Sequence, residues 1–121
     1  MPHLIFEHSA NIADEPDWRQ VVLQVHEQLI SSGQFAAEDI KSRIVKHDHF
    51  VIGHGEPDRS FVTLNLQILD GRRDEIKRQL SKMALEVLIH AFPNSLARQK
   101  LSITVQITDI HRASYQRHVS Y

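Results

Sequence analysis

The run PHLIFEHS at residues 2–9 is short, apolar and β-prone, and it is ended by Ala10-Asn11 and the acidic stretch ADEPD. It reads as a strand, and a proline suits the first position of one because that residue need not donate a ladder hydrogen bond. From Pro16 the period changes. Trp18, Val21, Val22, Val25 and Leu29 follow one another at i, i+3, i+4, i+7 and i+11, which predicts an amphipathic helix with Pro16 near its first turn and Gly33 beyond its last. The stretch IKSRIVKHDHFVI then alternates, with Ile40, Ser42 and Ile44 on one face and Lys41, Arg43 and Val45 on the other, before the turn-rich GHGEPDRS. A second strand, bent toward its end, is expected.

The same order begins again at Ser60. FVTLNLQIL alternates, with Val62, Leu64, Leu66 and Ile68 on one face and Phe61, Thr63, Asn65 and Gln67 on the other. After Gly71, the residues Ile76, Leu80, Met83, Ala84, Val87, Leu88 and Ala91 keep helical spacing until Pro93, a residue that stops helices because it has no N–H to donate. LSITVQITDI is the last alternating run, with Leu101, Ile103, Val105 and Ile107 sharing a face. The expected fold is α/β of the α+β kind: tandem β-α-β units, related as a duplication, forming a four-stranded sheet with two helices on one face. Two helices leave the other face open. That face is expected to carry Leu4, Phe6 and Phe61 beside the mixed row Thr63, Asn65 and Gln67, and to be buried in a symmetric homo-oligomer.

Composition narrows the range of functions. At 121 residues a single domain over 1–121 is expected. Charged residues make up 24% and the formal net charge is -1, so the footprint of a nucleic-acid binder is missing. There is no cysteine, hence no disulfide framework, thiolate metal site or cysteine nucleophile. No signal-peptide pattern opens the chain and no stretch of 18 apolar residues occurs, so neither export nor a membrane partner is expected and the cytoplasm is the expected location.

Two features carry chemistry. If Met1 is trimmed, Pro2 presents a free secondary amine, and such an amine can act as a base. The second is histidine: His47, His49 and His54 lie in HDHFVIGH, but zinc sites close a four-ligand set or keep a defined third ligand beside an open position, and no metal is expected there.

MPHLIFEHSANI, GQFAAEDIKSR after the first helix and FVTLNLQILDGR before the second resemble, in combination, the small tautomerases, and among them the 5-carboxymethyl-2-hydroxymuconate isomerase family. The resemblance runs from Pro2 to about His111 and leaves the tail RASYQRHVSY without a role. It implies a tautomerase-like trimer of β-α-β pairs, with no cofactor or metal, whose amino-terminal proline is the catalytic base at the mouth of a pocket where basic side chains hold a polycarboxylate. The implied reaction belongs to homoprotocatechuate degradation: a dienol loses its hydroxyl proton and is protonated at carbon further along the conjugated system, giving the ketone.

On this resemblance Pro2 and Arg72 are the expected catalytic residues. A free α-amine ionises at about 7.7–8.0, close to the value a proton shuttle needs, and burial or nearby cations lower it further. Arg72, in the GR after the third strand, matches the family's arginine, and its planar fork suits a carboxylate or a carbonyl oxygen. It is expected in the first turn of the second helix, where the helix dipole disfavours a cation and an anionic ligand would relieve it. Lys41 departs from the pattern, standing where a second arginine is expected, with Arg43 two residues on. Lysine keeps the charge and loses the bidentate fork, so substrate binding falls either to Lys41 or to Arg43. The alternatives to the family's own substrate are a different small acid, or a non-catalytic trimer that only binds an anion.

Overall fold

The computed structural model describes residues 1–121. Each alternating run is a strand: β1 (His3–Ser9), β2 (Lys41–His47), β3 (Arg59–Leu69) and β4 (Lys100–Ile110). The runs of helical spacing are α1 (Trp18–Ser31) and α2 (Asp74–Ala91), and a third, short helix α3 (Pro93–Arg98) follows α2 directly. Asp17 caps α1 by accepting from the Gln20 N–H at 3.3 Å. The chain leaves α1 through Gly33 at φ +77°, a conformation that favours glycine. Pro93 ends α2 as expected, but it also occupies the first turn of α3, where its missing N–H costs nothing. The protein therefore has three helices where periodicity predicted two.

The strands form one mixed sheet in the order β2-β1-β3-β4. β1 runs parallel to β2 and antiparallel to β3, and β3 runs parallel to β4. The helices cover one face. Val62, Leu64, Leu66 and Ile68 of β3 are buried there against Val21, Val25 and Leu29 of α1 and Leu80, Ala84 and Leu88 of α2, with Phe92 filling the core beside them. No helix is long and apolar enough to cross a membrane.

One sequence-based assignment is corrected. Leu4 and Phe6 do not belong to the open face; they stand beside Leu66 and Leu64 under the helices and are fully buried. The residues of β1 that face away are His3, Ile5 and Glu7, beside Arg43, Val45, Phe61, Thr63, Asn65 and Gln67, so the open face is more polar than expected.

The strand directions position everything that follows. His3 of β1 pairs with Lys41 at the start of β2 and with Gln67 near the end of β3, while Leu69 at the end of β3 pairs with Ile110 at the end of β4. One edge of the sheet thus gathers the beginnings of β1 and β2 and the endings of β3 and β4. Pro2, Lys41, Arg72 and the C-terminal tail all leave the sheet at that edge.

Candidate active site

At this edge lies a cleft of about 400 Å³ lined by Met1, Gln34, Phe35, Asp39, Arg72 and Arg117, among others. Pro2 is buried behind Met1, and its carbonyl accepts from the Lys41 N–H at 3.1 Å. The Met1 amine donates to the Asp39 carbonyl at 3.0 Å. Burial holds this amine below its ordinary pKa, and the charges of Lys41 and Arg117 add to that effect against the opposing pull of Asp39. The chain terminus is therefore an amine biased toward its neutral, basic form.

Arg72 sits in the loop before α2, not in its first turn. The helix begins at Asp74, with Arg73 at the cap position and the acids Asp74 and Glu75 in its first turn. Arg72 thus stands just outside the helix, whose start is already balanced by its own carboxylates. Its guanidinium is held by neutral groups only: Nε donates to Gln34 Oε1 at 3.0 Å, Nη2 to the Gln34 carbonyl at 3.2 Å, and Nη1 to the Leu69 carbonyl at 3.4 Å. The Phe35 ring lies under it, 4.6 Å from its central carbon. Burial and the charge of Arg112 lower its pKa. An immobilised cation with no carboxylate partner is a site for an anionic oxygen.

Lys41 and Arg43 part company. Lys41 Nζ donates to the Asp39 carbonyl at 3.2 Å, beside the Met1 amine that shares this acceptor. Arg43 lies two pairs further along the sheet and turns to His3 on the open face, donating from Nη2 to Nδ1 at 3.1 Å. Burial first, and then Arg43, the amine and Lys41, hold the His3 pKa below its ordinary value, and because a guanidinium can only donate, Nδ1 is the acceptor of this bond. Arg72 lines the cleft together with Met1 and Asp39; Pro2 follows Met1 and Lys41 is tied to the margin through the Asp39 carbonyl, while neither Lys41 nor Arg43 lines the cleft itself. His47, offered by the sequence as one of a trio, instead pairs with Glu7 at 2.9 Å.

The tail contributes what sequence reasoning missed. After β4 a turn at Arg112–Ser114 redirects the chain, and Arg112, Tyr115 and Arg117 become part of the cleft. Arg112 is anchored, with Nη2 at 2.9 Å and Nε at 3.3 Å from the Asp70 carbonyl and a looser pairing to the Asp70 carboxylate. Arg117 approaches the Asp39 carboxylate at 3.0 Å. The available signal was two arginines and a tyrosine within six residues, RASYQR, beyond the last alternating run. A second cleft of about 360 Å³, lined by His8, Asp14, Glu15, Trp18 and Lys46, holds one lysine beside two carboxylates and lacks this excess of positive charge.

Comparison with known proteins agrees with this architecture. The model of the 5-carboxymethyl-2-hydroxymuconate isomerase family matches residues 2–120. The chain is 30% identical over 111 residues to the 5-carboxymethyl-2-hydroxymuconate Delta-isomerase of Escherichia coli, covering 92% of this chain and 88% of that one. The crystal structure of a 5-carboxymethyl-2-hydroxymuconate isomerase from Deinococcus radiodurans R1 superposes with a TM-score of 0.89 at 25% identity, over 97% of this chain and 88% of that one. A fused 4-OT symmetric trimer shares the fold alone, with a TM-score of 0.73 at 13% identity over 98% and 91% of the two chains. The chain whose amino terminus and Arg72 line one cleft at the end of this α+β sheet is thus an isomerase, a member of the 5-carboxymethyl-2-hydroxymuconate isomerase family.

Proposed function

We propose that the protein isomerises an unsaturated hydroxy- or oxo-polycarboxylate, 5-carboxymethyl-2-hydroxymuconate in homoprotocatechuate degradation, with the Pro2 amine as its proton shuttle once Met1 is removed. The observation that carries this reading is the convergence of the chain terminus with Arg72, a cation that has no carboxylate of its own. The dienol hydroxyl gives its proton to the Pro2 nitrogen as charge spreads along the conjugated chain toward carbon. Arg72 stabilises the oxygen on which negative charge develops, and the protonated amine then returns the proton to carbon. The electron count is unchanged throughout, so the chemistry calls for no cofactor.

Lys41 is the point charge for a substrate carboxylate, set beside the amine by its bond to the Asp39 carbonyl. The same cation disfavours protonation of the neighbouring amine, so the residue that binds substrate also tunes the base. The Pro2 ring restricts the backbone at the nitrogen and limits its wandering. The unit at work is proposed to be a homotrimer in the cytoplasm, a reading supported by the uncovered sheet face and by the symmetric trimer that shares the fold.

The test is ultraviolet observation of a conjugated enol acid with protein whose terminus is known by mass spectrometry. Protein lacking Met1 is expected to turn over. A leucine inserted between Met1 and Pro2 keeps the proline nitrogen an amide, without basicity, and is expected to abolish turnover. Full activity in that insertion variant, with the extra residues still in place, rejects Pro2 as the base.

A further inference from the structure

We propose that the C-terminal tail is a wall of the active site and that Arg117 binds a second substrate carboxylate, one that Asp39 imitates until substrate arrives. This rests on the reading of the cleft as a polycarboxylate site. The tail is not loosely placed. The Arg112 N–H meets the Asp70 carboxylate at 3.4 Å and its guanidinium meets the Asp70 carbonyl, so the tail is tied to the very loop that carries Arg72. The bond from His111 Nδ1 to Ser114 Oγ at 2.8 Å and that from the Tyr115 N–H to the Arg112 carbonyl at 3.2 Å fix the turn. Five residues beyond its anchor, Arg117 returns to line the same cleft as Arg72.

The cations of the cleft differ in their partners. Arg112 is engaged by Asp70 and serves as the anchor, while Arg72 has only neutral partners. Arg117 faces the carboxylate of Asp39 at 3.0 Å. Asp39 is the one carboxylate lining this cleft, and it binds in two ways: its carbonyl takes the Met1 amine and Lys41, and its side chain takes Arg117. A guanidinium already paired with a carboxylate across a solvent-accessible cleft is arranged to exchange that partner for a ligand's carboxylate. Both side chains retain solvent exposure, 39% for Arg117 and 27% for Asp39, so the exchange does not strand a buried charge. Arg117 also restores the bidentate fork that Lys41 lacks.

The experiment is calorimetric titration of the full chain with adipate, a saturated dicarboxylate, and with hexanoate, its monocarboxylate counterpart. Arg117→Ala is expected to weaken adipate by about tenfold to a hundredfold, as loss of one charge-assisted contact does, while hexanoate changes by less than about twofold. Arg117→Lys should recover part of the loss. Asp39→Asn is expected to tighten adipate, since the competing internal carboxylate is gone. Adipate bound by Arg117→Ala as tightly as by the unaltered protein overturns the proposal, as does an equal loss of both ligands. Weaker adipate binding by Asp39→Asn overturns the exchange and leaves Asp39 a mere support. Because the readout is binding, it does not depend on Pro2: an active leucine-insertion variant rejects the proline base without touching this result, and the reverse also holds.

Discussion

At the scale of single residues, charge without a counter-charge separates the cations of the cleft. Arg72 is fixed by three neutral acceptors and the face of Phe35, so its whole charge remains available to an oxygen in the transition state. Arg72→Ala is expected to lower kcat by about a hundredfold to a thousandfold, the usual cost of removing one such donor, with a smaller change in KM. Lys41→Ala is expected mainly to raise KM. Arg43→Ala should leave KM near that of the unaltered protein, because Arg43 is occupied by His3 outside the cleft; a rise equal to that of Lys41→Ala would show that Arg43 reaches the substrate after all. The base has its own signature. A neutral amine is the active form, so kcat/KM should rise with pH through the amine's ionisation. Burial and the neighbouring cations depress the Met1 amine in this setting; a Pro2 amine freed beside the same cations is expected to place the limb below the ordinary range of about 7.7–8.0. Lys41→Ala removes one of the depressing charges and should move the limb upward. A pH profile without such a limb would count against the terminal amine.

At the scale of elements, two polar links tie helices to the sheet and its loops. His26 of α1 meets Ser42 of β2 through Nε2 and Oγ at 2.6 Å. Burial holds the His26 pKa below its ordinary value, despite the opposing charge of Glu27. The sign follows from linkage: below about pH 6.5 the unfolded chain takes up a proton that the folded imidazole resists, so stability is fullest above that pH and falls as the pH drops toward the folded value. Urea midpoints measured between pH 7 and pH 5 should fall, and His26→Gln should flatten the slope, with His3 supplying part of what remains. The second link is Asp14, which accepts from the Ser95 hydroxyl at 2.6 Å and from the N–H groups of Ser95 and Asn94 at 2.7 and 3.1 Å. It fixes the loop before α1 to the start of α3. Ser95 is fully buried, so Ser95→Ala strips a bond from a buried carboxylate and is expected to cost about 1–3 kcal/mol in denaturant unfolding.

At the scale of the molecule, the uncovered face of the sheet asks for an explanation. It presents Ile5, Val45 and Phe61 among His3, Glu7, Thr63, Asn65 and Gln67, a mixed surface suited to a partner that matches both its apolar and its hydrogen-bonding groups. The proposed partner is the same chain. Light scattering should return about three times the 14.0 kDa chain mass, and a stable monomer at micromolar concentration would remove the trimer.

Local periodicity was enough for most of the architecture. Val62 to Ile68, Leu101 to Ile107 and the helical stripes of α1 and α2 each repeat long enough for their own spacing to name the element and its buried side. β1 could not be read in this way: LIF is apolar on both faces, and only the pairing of Leu4 with Leu66 and Phe6 with Leu64 decides which side goes under the helices. Pro2, Lys41 and Arg72 were legible as candidates through their motifs, but their meeting was not, since 70 residues separate the first from the last. That meeting follows from strand direction, because antiparallel pairing of β1 with β3 sets the start of one beside the end of the other. The tail was beyond reach for the same reason. RASYQRHVSY has no period of its own, and it reaches the cleft because β4 runs parallel to β3 and ends where Arg72 begins. Spacing along the chain determined what each segment is; the directions of the strands determined which segments meet, and the chemistry lies where they meet.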